Sequence, residues 1–298
     1  LFKSYRTDMK TDLKGTGVAM VTPFNKDKSI DYKGLENLIE YLIDGDVEFL
    51  VSMGTTGESA VLSTEEKLNV VDFSRKIING RLPFVVGIGG NNTTAVVAQI
   101  KATDFTGVDA ILSVSPAYNK PTQEGIYQHF KAISEACPID IILYNVPGRT
   151  SSNMSASITL RLAKDFANIV AVKEASGDME QIMHILRDKP NGFNVLSGDD
   201  ALTLPMVLMG AEGVISVQAM AKPKEFSEMV RQGLKGDLEK ARALHYPQLE
   251  IIDNLFVEGN PSGIKACLKI KGVCDDYVRL PLVGISSERF LKLENLLK

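Results

Sequence analysis

Two hydrophobic periods alternate along the chain. Short runs rich in β-branched residues recur at Val18–Val21, Phe49–Met53, Phe84–Ile88, Ala110–Val114, Ile141–Val146, Ile169–Val172, Asn194–Leu196 and Val214–Val217. Between them lie segments with helical spacing, such as Leu35/Leu38/Ile39/Leu42, Leu68/Val71/Ile77/Ile78 and Val96/Val97/Ile100. Ser63 with Glu66 forms a capping-box pattern, and Ser155 and Asp178 each precede a helical run. Strand and helix units in alternation imply parallel strands joined by crossovers, because parallel neighbours cannot be linked by tight hairpins. The strands are nearly continuous apolar runs, as expected when both faces of a sheet are covered.

A doubly wound sheet would carry a Gly-rich turn after its first strand. Here that strand is followed by Thr22-Pro23-Phe24. Eight units in about 220 residues fit a (β/α)8 TIM barrel of the α/β class. After Pro223 the alternation stops, and Phe226–Leu234, a run through Ala241 and Ile251, Pro261–Ile270 and Ser287–Leu297 all read as helical. The expected organisation is a barrel over residues 1–234 and a C-terminal helical subdomain over 235–298, packed directly on it.

Composition narrows the class. The 298 residues carry 33 Lys+Arg against 37 Asp+Glu, a net charge of −4, which offers nucleic acid or an anionic membrane no electrostatic attraction. No stretch reaches the 18 or so apolar residues of a membrane span. The polar opening Leu1–Gly15 lacks the apolar middle of a secretory signal, and because the first residue is not Met the true start is expected to be trimmed. Three cysteines, Cys137, Cys267 and Cys274, are too few for a disulfide framework and suit a reducing compartment. Cys267 and Cys274 read as stacked positions on one helix. A soluble, cytoplasmic protein is expected.

In such barrels the reacting groups gather at the C-terminal ends of the strands. The sixth ends Val170-Ala171-Val172-Lys173-Glu174, and alternation puts Ala171 and Lys173 on one side, with Val170 and Val172 on the other. If the valines face the helices, Lys173 points into the barrel mouth. A sheltered amine there can attack a carbonyl; the bland alternative is a lysine reaching out to solvent. On the fifth strand Tyr144 shares the side of Ile142, so it is either a proton-moving phenol or a barrel-filling side chain. Arg149 follows in a Pro/Gly turn, placed to grip a carboxylate or simply solvated. Thr55 and Thr56, between Gly54 and Gly57, offer hydroxyl and N–H groups to a small carboxylate. Tyr118 lies on the loop after the fourth strand. The seventh ends Ser197-Gly198-Asp199-Asp200, where the aspartates are expected to cap the next helix.

The three histidines, His129, His184 and His245, lie in helical segments without metal-ligand spacing, so no metal site is expected. There is no GxSxG, no P-loop and no dinucleotide fingerprint. An amine, phenols, a threonine cradle and a carboxylate grip suit metal-free Schiff-base chemistry on a small keto acid.

These residues resemble the dihydrodipicolinate synthase family, within the wider superfamily of pyruvate-dependent aldolases. The resemblance runs from Gly17 through the C-terminal helices and rests on GVAMVTPF (Gly17–Phe24), GTTGES (Gly54–Ser59), SPAYNKPTQEGIYQHF (Ser115–Phe130), YNVPGRT (Tyr144–Thr150), VKEASGD (Val172–Asp178) and SGDD (Ser197–Asp200). It implies a synthase that condenses pyruvate with aspartate semialdehyde for lysine and diaminopimelate synthesis. Lys173 would form the Schiff base, and Tyr144, Thr55 and Tyr118 would relay protons, Tyr118 reaching into a neighbouring subunit. Thr56 would hold the pyruvate carboxylate and Arg149 that of the semialdehyde, while Gly198 and Ile215 would line the pocket. The family uses no dissociable cofactor, and a homotetramer built as a dimer of dimers is implied. N-acetylneuraminate lyases and keto-deoxy sugar-acid aldolases share the lysine and tyrosine and remain an alternative, as does a non-catalytic keto-acid-binding barrel.

One departure stands out. Members inhibited by lysine bind it at the dimer interface through two histidines, a glutamate and a tyrosine. The corresponding positions here are Thr64, Lys67, Ala95 and Ala117, although Ser59, Ala60 and Asn91 are kept. Without the glutamate, lysine's cationic head loses a partner, so weak or absent inhibition is expected.

Overall fold

The computed structural model describes residues 11–298; the first ten residues of the polar opening lie outside them. Eight parallel strands close into a barrel in chain order, the first pairing with the last. They are β1 (Gly15–Ala19), β2 (Phe49–Ser52), β3 (Phe84–Gly87), β4 (Ala110–Val114), β5 (Asp140–Asn145), β6 (Ile169–Glu174), β7 (Asn194–Ser197) and β8 (Gly213–Ser216). The helices of the barrel are α1 (Tyr32–Ile43), α2 (Thr64–Ile78), α3 (Thr93–Ala102), α4 (Gln123–Ala136), the short α5 (Pro147–Thr150), α6 (Ala156–Asp165), α7 (Met179–Asp188), α8 (Thr203–Leu208) and α9 (Pro223–Lys235). Then come α10 (Leu238–Leu255), α11 (Ser262–Ile270) and α12 (Ser287–Leu297). The α/β barrel with a C-terminal helical part is the fold expected from the periodicity.

Alternation sorts each strand into two layers. Phe49, Val51, Val85, Ala110, Leu112, Ile142, Leu196 and Ile215 fill the barrel, and Leu13 belongs to the same cluster. Val18, Leu50, Ile111, Leu143, Val172, Val195 and Val214 belong instead to the large cluster shared with the helices. Strand β1 begins three residues before the apolar run that announces it. Its first half is Gly-Thr-Gly because the barrel closes there: a β-carbon on Gly213 would lie 2.0 Å from the Gly15 carbonyl oxygen, and one on Gly17 would lie 2.1 Å from the Phe49 ring. Gly213 is selected by close approach of the β1 backbone, and Gly15 and Gly17 by the Glu48 and Phe49 side chains packed against them.

Helix starts follow the capping chemistry. The Ser63 hydroxyl accepts from Glu66 N, and the Glu66 carboxylate accepts from Ser63 N. Ser155 and Asp178 likewise accept from Ile158 N and Gln181 N. Two expectations need correction. The helix carrying Cys267 ends at Ile270, so Cys274 sits in the following loop rather than on the same helix. All three thiols are free, and burial pushes Cys267 and Cys274 up to about 12 and Cys137 to about 11. Asp200 does not cap α8. Its buried carboxylate accepts from the Ser216 hydroxyl at 2.6 Å and from the Val217 and Gln218 N–H groups, tying the end of β7 to the end of β8. Asp199 accepts from Ala201 N and Leu202 N, just ahead of α8.

The C-terminal helices lie against the barrel. Helix α9 packs on β1 and β8, α10 packs along α9, and α11 lies among α10, α12 and the turn after β8. Every residue from Ser262 to Leu268 is buried, which marks α11 as an internal helix. A β-carbon on Gly263 would lie 2.0 Å from the Leu255 carbonyl oxygen, so glycine sets the distance between α10 and α11. Among the described residues, no helix is long and apolar enough to cross a membrane.

Candidate active site

A cavity of about 250 Å³ opens at the C-terminal ends of the strands. Six of the eight residues singled out from the sequence line it: Lys173, Tyr144, Thr55, Thr56, Arg149 and Gly198. Ala19, Leu112, Val146, Ala175 and Val217 supply much of the apolar floor.

Lys173 and Tyr144 are register partners on adjacent strands, both on the inner face. The Lys173 ammonium stands 4.4 Å from the centre of the Tyr144 ring. Both side chains are sheltered, at 5% and 8% exposure. Among the described residues Lys173 has no carboxylate within ion-pair distance. Strand β6 carries an irregularity that simple alternation misses, although it leaves the inward aim of Lys173 as alternation predicts. Ile141 pairs with Ile169 but Ile142 pairs with Ala171, so β6 carries a one-residue bulge at Val170. Val170 therefore joins Ala171 in the barrel interior instead of facing the helices with Val172. Beyond the bulge alternation resumes, and Lys173 faces in.

The threonine turn is tightly specified. Gly57 N donates to the Gly54 carbonyl at 3.1 Å and Glu58 N to the Thr55 carbonyl at 3.0 Å. The Thr22 hydroxyl donates to the Gly57 carbonyl at 2.7 Å. Met53 and Glu58 bracket the turn in the left-handed region, with φ of 59° and 52°. Such conformations are costly for long side chains and persist where surrounding structure holds them. Thr56 is buried and its hydroxyl accepts from Asn260 Nδ2 at 2.9 Å.

Behind the reacting face lies a polar cluster. Asn145 Nδ2 donates to both oxygens of Glu174 at 3.0 and 3.2 Å, and Gln181 Nε2 and Ser176 N also donate to that carboxylate. Burial raises the Glu174 carboxyl above the ordinary glutamate value, and these hydrogen bonds oppose the shift. The cluster sits one residue past both Tyr144 and Lys173 and joins their strand ends.

Two residues lie away from the cavity wall. Ile215 is packed in the apolar layer of the barrel, where it pairs with Gly17, and Val217 lines the cavity instead. Tyr118 lies on the loop after β4 with φ of 71° and 89% exposure. This single chain does not bring it to Lys173. Conversely, Ile252, Phe256 and Asn260 line the cavity from the C-terminal helices, and no motif in the sequence pointed to them. A smaller cavity of about 120 Å³ shares Gly54, Thr55, Leu112 and Tyr144 with the first and is completed by Ser59, Lys67 and Gln99 among others. Among the described residues, no group of three or more His, Cys, Asp or Glu side chains is arranged to hold a metal ion.

Comparison with known proteins places the chain in a family. The sequence profile of the dihydrodipicolinate synthetase family matches residues 12–298. The chain is 55% identical over 280 residues to 4-hydroxy-tetrahydrodipicolinate synthase of Flavobacterium psychrophilum, covering 94% of this chain and 96% of that one. It is 49% identical over 287 residues to the enzyme of the same name from Parabacteroides distasonis, covering 96% and 97%. The crystal structure of dihydrodipicolinate synthase from Aquifex aeolicus superposes with a TM-score of 0.92 at 41% identity, covering 96% of this chain and 97% of that one. With a matching profile, near full-length relatives and a superposable barrel, the chain belongs to the dihydrodipicolinate synthetase family.

Proposed function

We propose that this chain is a lyase that condenses pyruvate with L-aspartate 4-semialdehyde to form 4-hydroxy-tetrahydrodipicolinate, for lysine and diaminopimelate synthesis. The observation that carries the reading is the pairing of Lys173 with Tyr144 on one cavity wall, opposite a threonine turn. The Lys173 amine attacks the keto carbon of pyruvate, forming a carbinolamine. Loss of water gives the imine, and the Tyr144 hydroxyl, with Thr55 as its relay partner, supplies the proton the leaving hydroxide needs. Thr56 holds the pyruvate carboxylate. Removal of a methyl proton yields the enamine, whose carbon attacks the aldehyde of the second substrate, held through its carboxylate by Arg149. The substrate's own amine then displaces Lys173 from the imine carbon, closing the ring and freeing the enzyme.

No dissociable cofactor takes part in this scheme, since the covalent imine is the electron sink. Tyr118 completes the relay from a second copy of the chain, which fits its exposure here and a homotetrameric assembly. The enzyme works in the cytoplasm. The apolar wall of Ile252 and Phe256 beside a single arginine favours a short acidic aldehyde over a polyol.

Borohydride reduction in the presence of pyruvate, followed by mass spectrometry, tests the chemistry. An adduct on Lys173 is expected, and Lys173→Ala should abolish it. An unmodified chain would point to a binding protein and sink the proposal. Turnover assays with aspartate semialdehyde and with sugar aldehydes decide the second substrate, and preference for a polyol would reassign it.

A further inference from the structure

Lys265 has no part in the chemistry described so far, yet its side chain is fully buried. It lies on the internal helix α11, and its ammonium donates to Glu58 Oε1 at 2.6 Å and to the Tyr277 carbonyl at 2.8 Å. It also stands 4.1 Å from the centre of the Phe24 ring. Two hydrogen bonds and an aromatic face together engage the ammonium's three donors. The second oxygen of Glu58 accepts from Arg279 N at 3.0 Å. The Arg279 guanidinium in turn lies over Phe24 at 4.5 Å and pairs with Glu66 at 2.6 Å. Burial draws Lys265 below the ordinary lysine value, and the attraction of Glu58 opposes that shift.

A buried ion pair adds little stability over apolar side chains of the same size, because desolvation cancels the attraction. In some proteins such a pair fixes a single local geometry instead. Here that geometry is imposed on Glu58, the last residue of the threonine turn and the one held in a left-handed conformation. The attachment is long-range: Glu58 is tied to Lys265 and Arg279 across 207 and 221 residues, and Thr56 to Asn260 across 204.

We propose that Lys265 is a positioning residue, which acts through Glu58 to hold Thr55 and Thr56 in the orientation that receives the keto acid. The inference rests on the reading in which Thr56 binds the pyruvate carboxylate and Thr55 relays a proton. It separates the two substrates, because Arg149 stands on α5 and is not attached to the turn.

Steady-state kinetics on the full-length Lys265→Met variant test it, with thermal unfolding as the check on folding. The KM for pyruvate should rise about tenfold and kcat should fall about tenfold, while the KM for aspartate semialdehyde stays within about twofold. Should the single variant fail to fold because Glu58 is left as an unpaired buried charge, the Glu58→Gln/Lys265→Met double variant replaces it, with the same expectation. Unchanged pyruvate parameters, or equal losses toward both substrates that follow the unfolding midpoint, would overturn the proposal. Thr56→Ala is measured alongside. If that variant leaves the pyruvate KM unchanged, the reading of the turn fails; if it raises KM and the Lys265 variants do not, only the tether fails.

Discussion

Gly198 and Lys173 share one packing space: a β-carbon at 198 would stand 3.0 Å from Lys173 Cε, 3.1 Å from its Cγ and 2.7 Å from the Ala175 β-carbon. Residue 198 follows β7, the strand paired with the lysine's own strand, so the missing side chain on one neighbour makes room for the long one on the other. Gly198 N also donates to the Glu174 carbonyl at 2.7 Å, which fixes how closely the two strand ends approach.

Gly198→Ala is therefore expected to displace the lysine without removing it. The tightest contact, at 2.7 Å, is with the Ala175 β-carbon, which cannot swing aside, so the end of β6 must give as well as the lysine side chain. A displacement of several tenths of an ångström in the nucleophile lowers kcat by about tenfold. Single-turnover trapping with pyruvate checks this, and a wild-type rate would show that the amine tolerates the shift.

Arg149→Ala should separate the two half-reactions. Arg149 is exposed at the cavity mouth, and among the described residues it has no ion-pair partner, so its loss leaves no buried charge behind. Pyruvate trapping on Lys173 should proceed normally. The KM for aspartate semialdehyde should rise by about 10- to 100-fold, the value of a lost charge-assisted hydrogen bond or pair of bonds.

Free lysine should inhibit weakly or not at all. The smaller cavity beside Thr55 and Tyr144 has one charged side chain in its lining, Lys67, and no carboxylate. A second ammonium brought there meets repulsion instead of a partner. Titration of lysine into the steady-state assay up to millimolar concentration gives the answer, and strong inhibition would contradict this electrostatic account.

Stability should fall on mild acidification. Burial pushes His129 down to about 4 from the ordinary 6.5, and His245 moves the same way. The folded protein keeps His129 neutral while the unfolded chain takes up a proton below about 6.5. Stability from this group is thus complete above 6.5, is lost as pH falls toward 4, and levels off below that. The loss from this group is about 3 kcal/mol. Urea unfolding at pH 7, 5.5 and 4 measures it, and His129→Gln should flatten the dependence.

The eight strands of the barrel were legible because burial on both faces leaves a simple apolar signature. Lys173, Tyr144, Thr55, Thr56 and Arg149 were legible because strand ends and the turns after them are where a barrel exposes its chemistry, whereas Gly198 was pointed to only by the family resemblance. Other features leave no local trace. The bulge at Val170 depends on the register of β5 against β6, which a single strand does not encode. Asp200 follows a strand and precedes a helix, the place for a cap, but the buried end of β8 offers three donors and takes the carboxylate. Asn260 and Lys265 reach the threonine turn only through tertiary folding, across two hundred residues of intervening chain.

That separation has a consequence for synthesis. The threonine turn emerges from the ribosome long before the segments that clamp it, Asn260, Lys265 and Arg279, have been made. The strand ends carrying Lys173 and Tyr144 are therefore made before the contacts that hold Thr56 and Glu58 can form. The clamp on the turn is complete only once the last helices have been made.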